Sequence, residues 1–347
     1  MRPAFPTRAA WLALAAGCAA TGQLHAQDAA GNVQLYGLVD AYIGSMRRSD
    51  QPARTAVVNS NGMTTSYWGL RGSEDLGAGL QARFALESFF QTDTGANGRS
   101  SADPFLSRNA WVGLAGGFGQ VSAGRQTNRL FATSGQFDPF GGSLQFSPVM
   151  LQTWQAAYDR VVLGDSVWNN ALQYSSPTLG GLRAEAVYGF GEQAGRGGQN
   201  NKSLTVHYAQ GPFAAALAAQ SVRYGPGLDG TAIGRQTAVL AAASYDAGAA
   251  KLYGQWLRAR TPDLGMAADM AQLGVAMPVG AAGRVMASVA RTQRDLAAAA
   301  GSRRAAWALG YDHQLSRRTD LYAVYLSDRV TGHAAAGSVG AGIRHRF

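Results

Sequence analysis

Few side chains in this 347-residue chain are of a type that does covalent chemistry, and none is grouped for it. After residue 26 there are four histidines: His207, His313, His333 and His345. None stands in a Ser/His/acid arrangement or at metal-ligand spacing, and an enzyme would need a nucleophile within reach of one of them. Cys18 is the only cysteine, so a chain processed after residue 26 would hold neither a disulfide nor a thiolate metal site. No Walker loop, dinucleotide fingerprint or zinc cluster occurs, and no cofactor is implied. What remains is charge. Arginines and carboxylates are scattered singly, unlike the basic arm of a nucleic-acid binder. Charged side chains ringing a water-filled path set the potential an ion meets as it loses part of its hydration. Arg71, Arg83 and Glu87 fall on the polar faces of their segments and are candidates for such a ring.

The segments that would carry them alternate. Leu80, Ala82, Phe84 and Leu86 share one face, against Gln81, Arg83, Ala85 and Glu87 on the other. The pattern recurs in Ala305, Trp307, Leu309 and Tyr311, and at the C-terminus in Val339, Ala341, Ile343, His345 and Phe347. Period two places each set on its own side of a sheet. Tight Gly- and Pro-rich connections alternate with longer polar stretches at 44–61, 92–106, 127–163, 193–200, 224–234, 262–267, 296–301 and 331–336. Short turns at one rim and long loops at the other describe an up-and-down transmembrane antiparallel β-barrel. The connections divide the chain into about sixteen strands, although 212–222 and 320–327 alternate poorly. Closure pairs every backbone group in lipid, and a barrel of this size leaves an aqueous interior.

The N-terminus reads as an export signal. Arg2 and Arg8 are followed by an apolar run over 9–20 and by Leu24-His25-Ala26 before a polar Gln27-Asp28, which predicts cleavage after Ala26. The run is short for an anchoring helix. Leu14-Ala15-Ala16-Gly17-Cys18 loosely resembles a lipoprotein box, but ordinary cleavage is the expectation. The organisation expected is therefore a signal peptide at 1–26 and one barrel at 27–347. The formal charge is +9, and removal of Arg2 and Arg8 leaves +7. Mean hydropathy is −0.11, and no later stretch offers the ~18 apolar residues of a spanning helix.

Several motifs resemble those of the Gram-negative general porins. Val33-Gln34-Leu35-Tyr36-Gly37-Leu38-Val39-Asp40 is similar to the family's first strand. The hairpin from Ser66-Tyr67-Trp68-Gly69-Leu70-Arg71 through Glu74-Asp75-Leu76-Gly77 to Arg83-Phe84 resembles its second. Arg108-Asn109-Ala110-Trp111-Val112-Gly113-Leu114, Gly124-Arg125-Gln126, Tyr174-Ser175-Ser176-Pro177 and Ile343-Arg344-His345-Arg346-Phe347 continue the likeness.

The resemblance implies a homotrimer of sixteen-stranded barrels in the outer membrane, with a long third loop, here 127–163, folded into the pore. Phe137-Asp138-Pro139-Phe140-Gly141-Gly142 is similar to that loop's tip, and Phe131, Phe137, Phe140, Phe146, Trp154 and Tyr158 argue for packing over disorder. Wall arginines are then expected to face loop carboxylates: Arg108 at the family's fourth-strand position, with Arg71, Arg83 and Glu87, opposite Asp138. Arg125 shares parity with Val121 and Ala123, so a bulge or a place above the membrane is expected for it; Arg160 could reach the pore from the loop's end. Tyr67, Trp168 and Phe140 stand where charged residues are usual, which implies a more aromatic constriction. The expected function is passive diffusion of small hydrophilic solutes and ions, with weak anion preference. The expected partners are outer-membrane lipid, lipopolysaccharide and, through Phe347, the barrel-assembly machinery; nucleic acid is not among them. The rivals are a channel specific for sugars or aromatic acids, an outer-membrane enzyme and an adhesin.

Overall fold

The computed structural model describes residues 32–347 apart from 196–197, 229–231 and 298. The expected signal segment and Cys18 lie outside the described residues. The alternating segments form strands β1 (Gln34–Met46), β2 (Thr55–Ser60), β3 (Tyr67–Gly77), β4 (Leu80–Phe89), β5 (Asn109–Gly116), β6 (Gly119–Thr127), β7 (Val167–Ser175) and β8 (Leu182–Phe190). They continue as β9 (Asn200–Gln210), β10 (Phe213–Val222), β11 (Gln236–Asp246), β12 (Lys251–Thr261), β13 (Met266–Val279), β14 (Gly283–Leu296), β15 (Ala299–Gln314), β16 (Thr319–Val330) and β17 (Ala336–Arg346).

The strands pair antiparallel with their sequence neighbours, and β17 closes on β1 from Leu38↔Arg346 to Ser45↔Val339. At the seam Gly37 and Phe347 exchange two backbone hydrogen bonds of 3.1 Å. There are seventeen segments but sixteen lanes, because β2 and β3 face the upper and lower halves of β1 in turn. The break between them, 61–66, is held by Asp40, whose carboxylate accepts the backbone N–H groups of Gly62, Met63 and Thr64 at 2.8–3.0 Å. Closure leaves no edge for unpaired backbone groups to meet lipid.

The faces divide as the alternation requires. Trp307, Leu309 and Tyr311 stand exposed on the outside of β15, while Arg304, Ala306 and Ala308 are buried within. Val339 and Ile343 likewise point out, and Arg344 points in. An exposed apolar face this continuous is what a strand wall in hydrocarbon needs.

Between β6 and β7 the chain forms helices α1 (Arg129–Gln136) and α2 (Pro148–Trp154). Asn128 caps α1 and Ser147 caps α2, with Pro148 in its first turn. α1 packs on β9, β10 and β11, and α2 on β13, β14 and β15. Leu130, Val149, Met150 and Trp154 bury with Ala218 of β10, Leu240 of β11, Leu257 of β12 and Met270 of β13. Phe140, Phe146 and Leu151 bury with Tyr322, Val324 and Leu326 of β16. Each large side chain withdrawn from water here contributes roughly 1.5–3 kcal/mol. This packing explains the poor alternation of 212–222 and 320–327. Ala216 and Ala218 of β10 and Tyr322, Val324 and Leu326 of β16 point inward and are apolar where they meet the loop instead of water.

Candidate functional site

The larger of two open spaces lies on the lumen side of β1 and β3–β8. At the short-turn end a vestibule of about 960 Å³ is lined by Arg71, Arg83, Glu87, Arg129, Arg183 and Glu185, among others. Beside the loop lies a second cavity of about 530 Å³, whose charged lining residues are Arg99, Arg108, Arg284, Arg344 and Asp138.

The linings of the two spaces touch at an alternating stack, with Arg71 and Tyr36 from the first and Tyr67 and Arg108 from the second. The guanidinium of Arg71 lies 4.6 Å from the Tyr36 ring centroid, and that of Arg108 lies 4.1 Å from Tyr67. The two tyrosines touch edge to face at 6.1 Å. Glu87 is the hub beneath them, receiving the Arg108 guanidinium, the Tyr36 hydroxyl and the Asn109 amide. Further round, Glu185 takes Arg183 at 3.0 Å, Arg129 at 3.3 Å and His207 at 3.4 Å. Arg129 opens α1, so this cluster ties the loop to the wall. On the opposite wall Asp312 pairs with Arg284 at 3.0 Å, and Asp320 pairs with Arg344 at 3.0 Å.

These pairs are layered. The side chains of Glu87 and Glu185 are 5–6% exposed, against 30% for Arg108 and 48% for Arg183. The carboxylates lie behind and hold the guanidiniums in place, while the guanidiniums present donors to the water. A charge held this way acts on a passing ion without losing the side-chain order that a free arginine would have to find.

Of the residues expected from sequence, Arg108, Arg71, Tyr67 and Glu87 come together. Arg83 lines the vestibule separately, donating to Gln81 at 2.7 Å. The opposition expected between wall arginines and Asp138 is not what the structure displays. Asp138 is buried, its Oδ2 accepts from the backbone N–H of Gly142 at 3.1 Å, and among the described residues it joins no ion pair. The carboxylate answering Arg108 is Glu87, on the same wall. A bulge falls between Gly124 and Gln126, and Arg125 binds the Ser107 carbonyl at 2.7 Å, lining neither cavity. Arg160 reaches the Pro226 carbonyl at 2.8 Å, away from both. Trp168 packs with Val187 and Val222 inside the wall, so Tyr67 is the aromatic departure standing between the two spaces. Arg99, Arg129, Arg183, Arg284, Arg344 and Glu185 were not singled out from sequence. Arg183, Glu185 and Arg344 were findable from strand parity; Arg99 and Arg129 lie outside strands and carried no such signal.

Burial pushes the Asp138 carboxyl up to about 6, from an ordinary 3.8. A raised carboxyl favours the docked loop while it is neutral. The contribution is complete below pH 3.8 and lost as pH rises through 6. It amounts to no more than ~3 kcal/mol for a shift of about two units. The thermal midpoint of the detergent-solubilised protein should therefore fall more between pH 4 and 6.5 than that of Asp138→Asn. Parallel curves for the two proteins would refute the assignment.

A closed barrel of sixteen lanes, apolar outside and arginine-lined within, is a passive transmembrane channel. The chain belongs to the Gram-negative porin family, whose model matches residues 10–333. It is 31% identical to outer membrane porin protein 32 of Delftia acidovorans, over 95% of this chain and 97% of that one. An outer membrane porin of Bordetella pertussis is 29% identical, over 93% and 96% of the two chains. Among solved structures, the anion-selective porin from Comamonas acidovorans superposes with a TM-score of 0.75 at 27% identity, covering 91% of this chain and all of that one. The protein is an outer-membrane porin, a water-filled path for passive diffusion of small hydrophilic solutes.

Proposed function

We propose that this porin conducts small anions in weak preference to cations. The observation that carries the reading is the charge around the two cavities: among the described residues, eight arginines line them against three carboxylates, Glu87, Glu185 and Asp138. Burial of Asp138 weakens the third further. The anion selectivity named for the Comamonas relative supports the same direction. The chain is expected to be exported by cleavage after Ala26 and to assemble as a homotrimer in a lipopolysaccharide-containing membrane. Phe347, exposed and paired with Gly37, is available there to the assembly machinery. The helical segment between β6 and β7 acts as the constriction, holding Arg129 in the path. Reversal potentials across a planar bilayer under a potassium chloride gradient test the ion preference. A modest excess of chloride permeability is expected, and equal or greater potassium permeability would overturn it.

A further inference from the structure

One carboxylate of the vestibule is shared by side chains from three elements, and one of them is an imidazole. Glu185 of β8 lines the vestibule with its side chain 6% exposed. Its Oε1 accepts from Arg183 at 3.0 Å, from Arg129 of α1 at 3.3 Å and from the Ser175 hydroxyl at 3.3 Å. Its Oε2 faces the Nε2 of His207 on β9 at 3.4 Å. Register sets His207 across from Arg183 on one side and from Ala216 of β10 on the other. Its side chain is 20% exposed, so water and protons reach it. Among the described residues, no other histidine stands within 4 Å of a carboxylate. His313 bonds the Tyr311 hydroxyl at 3.0 Å and His345 the Thr319 hydroxyl at 2.9 Å, both near the short turns, and His333 is exposed in the loop after β16.

The other groups packed around His207 carry fixed charge or none. β8 presents Arg183 and Glu185, and α1 presents Arg129. β10 presents Ala216, which clusters with Phe137 of the loop and with Ala214. On β9 itself the neighbouring inward residue is Thr205. Asp138, next to Phe137 in the loop, is a further group that titrates near pH 6. Guanidiniums stay charged throughout, and ordinary carboxylates stay charged above pH 5. An imidazole changes its charge between pH 5 and 8. With His207 neutral, two guanidiniums against one carboxylate leave a single positive charge at this point of the wall. A proton on His207 makes it two, because Glu185 is then answered from behind and both guanidiniums face the water uncompensated.

We propose that His207 is a selectivity-determining residue of this channel, strengthening its preference for anions when it takes up a proton against Glu185. The inference deepens the reading of weak anion preference and rests, as that reading does, on the Glu185 cluster bordering the ion path. The test is the reversal potential of the intact protein in a planar bilayer under a potassium chloride gradient, with the dilute side at about 0.1 M so that screening is modest, taken from pH 8 to pH 5.5. A unit charge ~7 Å from an ion in water is worth a factor of two to three. The chloride-to-potassium permeability ratio should therefore rise about twofold across this range, in one step. His207→Gln should hold the ratio at its pH 8 value, and Asp138→Asn should keep the step. Where His207→Gln does not assemble, the variant His313→Gln, His333→Gln, His345→Gln leaves His207 as the only imidazole after residue 26, and it should show the whole step. A parent ratio indifferent to pH, a step retained in His207→Gln, or a step lost in Asp138→Asn or in the variant of the three other histidines would each overturn the proposal. The absolute ratio tests the anion preference, and its change with pH tests His207. Potassium preference at every pH, with a step that still depends on His207, would sink the first reading and leave the second standing.

Discussion

Phe146→Ala is expected to release the segment between β6 and β7 from the wall and to raise single-channel conductance. Phe146 is fully buried, stands edge-on to Tyr42 at 5.3 Å and shares its cluster with Tyr322 and Val324. Gly340 on β17 makes the seat: a Cβ there would run into the Phe146 ring, and a Cβ at Gly310 would stand 2.9 Å from that of Phe140. Wall glycine against loop phenylalanine is thus a paired arrangement, in which the missing side chain is as necessary as the ring. Removing the ring should cost ~3–5 kcal/mol of docking energy, as for other buried phenylalanines. The barrel wall, held by its own ladder, should survive the loss. Bilayer recordings should show a larger and noisier open level, and protease should cut between β6 and β7 in the variant before it cuts the parent. Gly340→Val should act in the same direction by blocking the seat. Conductance unchanged in both variants would show that the segment does not narrow the path.

Neutralising Arg108 and Arg183 together should move the chloride-to-potassium permeability ratio roughly tenfold toward potassium at low salt. A unit charge at ~4 Å in water is worth about 1 kcal/mol, close to a factor of five per site. Screening reduces this as the Debye length shrinks from ~10 Å at 0.1 M to ~3 Å at 1 M. Arg108→Gln, Arg183→Gln also uncovers what lies behind. Glu87 loses its guanidinium, and Glu185 keeps only Arg129 and His207. Both carboxylates then bear on the lumen, and the direction of the change follows from the layering described above. Reversal potentials at two salt concentrations measure it. A ratio that stays put at 0.1 M would mean that these arginines do not border the ion path.

Much of the wall could be read before any coordinates. The outward set Trp307, Leu309 and Tyr311 and the inward Arg304 follow from the pleat alone, because successive side chains of any strand leave on opposite sides. The lane count followed too, since long and short connections are written in Gly, Pro and polar runs. Where reading faltered, the cause was contact with something distant. Ala216 and Ala218 on β10, like Val324 and Leu326 on β16, look wrong for an aqueous lumen until the loop is laid over them.

The candidate site divides along the same line. Arg108, Arg71, Tyr67 and Glu87 were nameable because they sit in or beside short motifs with definite parity. Their mutual arrangement was not, nor were the pairings that orient the arginines. Asp138 shows why: a loop carboxylate has no parity, and its direction was settled by the turn that brings Gly142 N–H to it. Sequence by itself determined which face of each strand meets lipid and how many times the chain crosses, because both depend on periods of two residues and on turn chemistry. Only the closed fold decided which guanidinium each carboxylate holds. Arg344 meets Asp320 24 residues away and Thr64 280 away, and no local period carries information across a barrel seam.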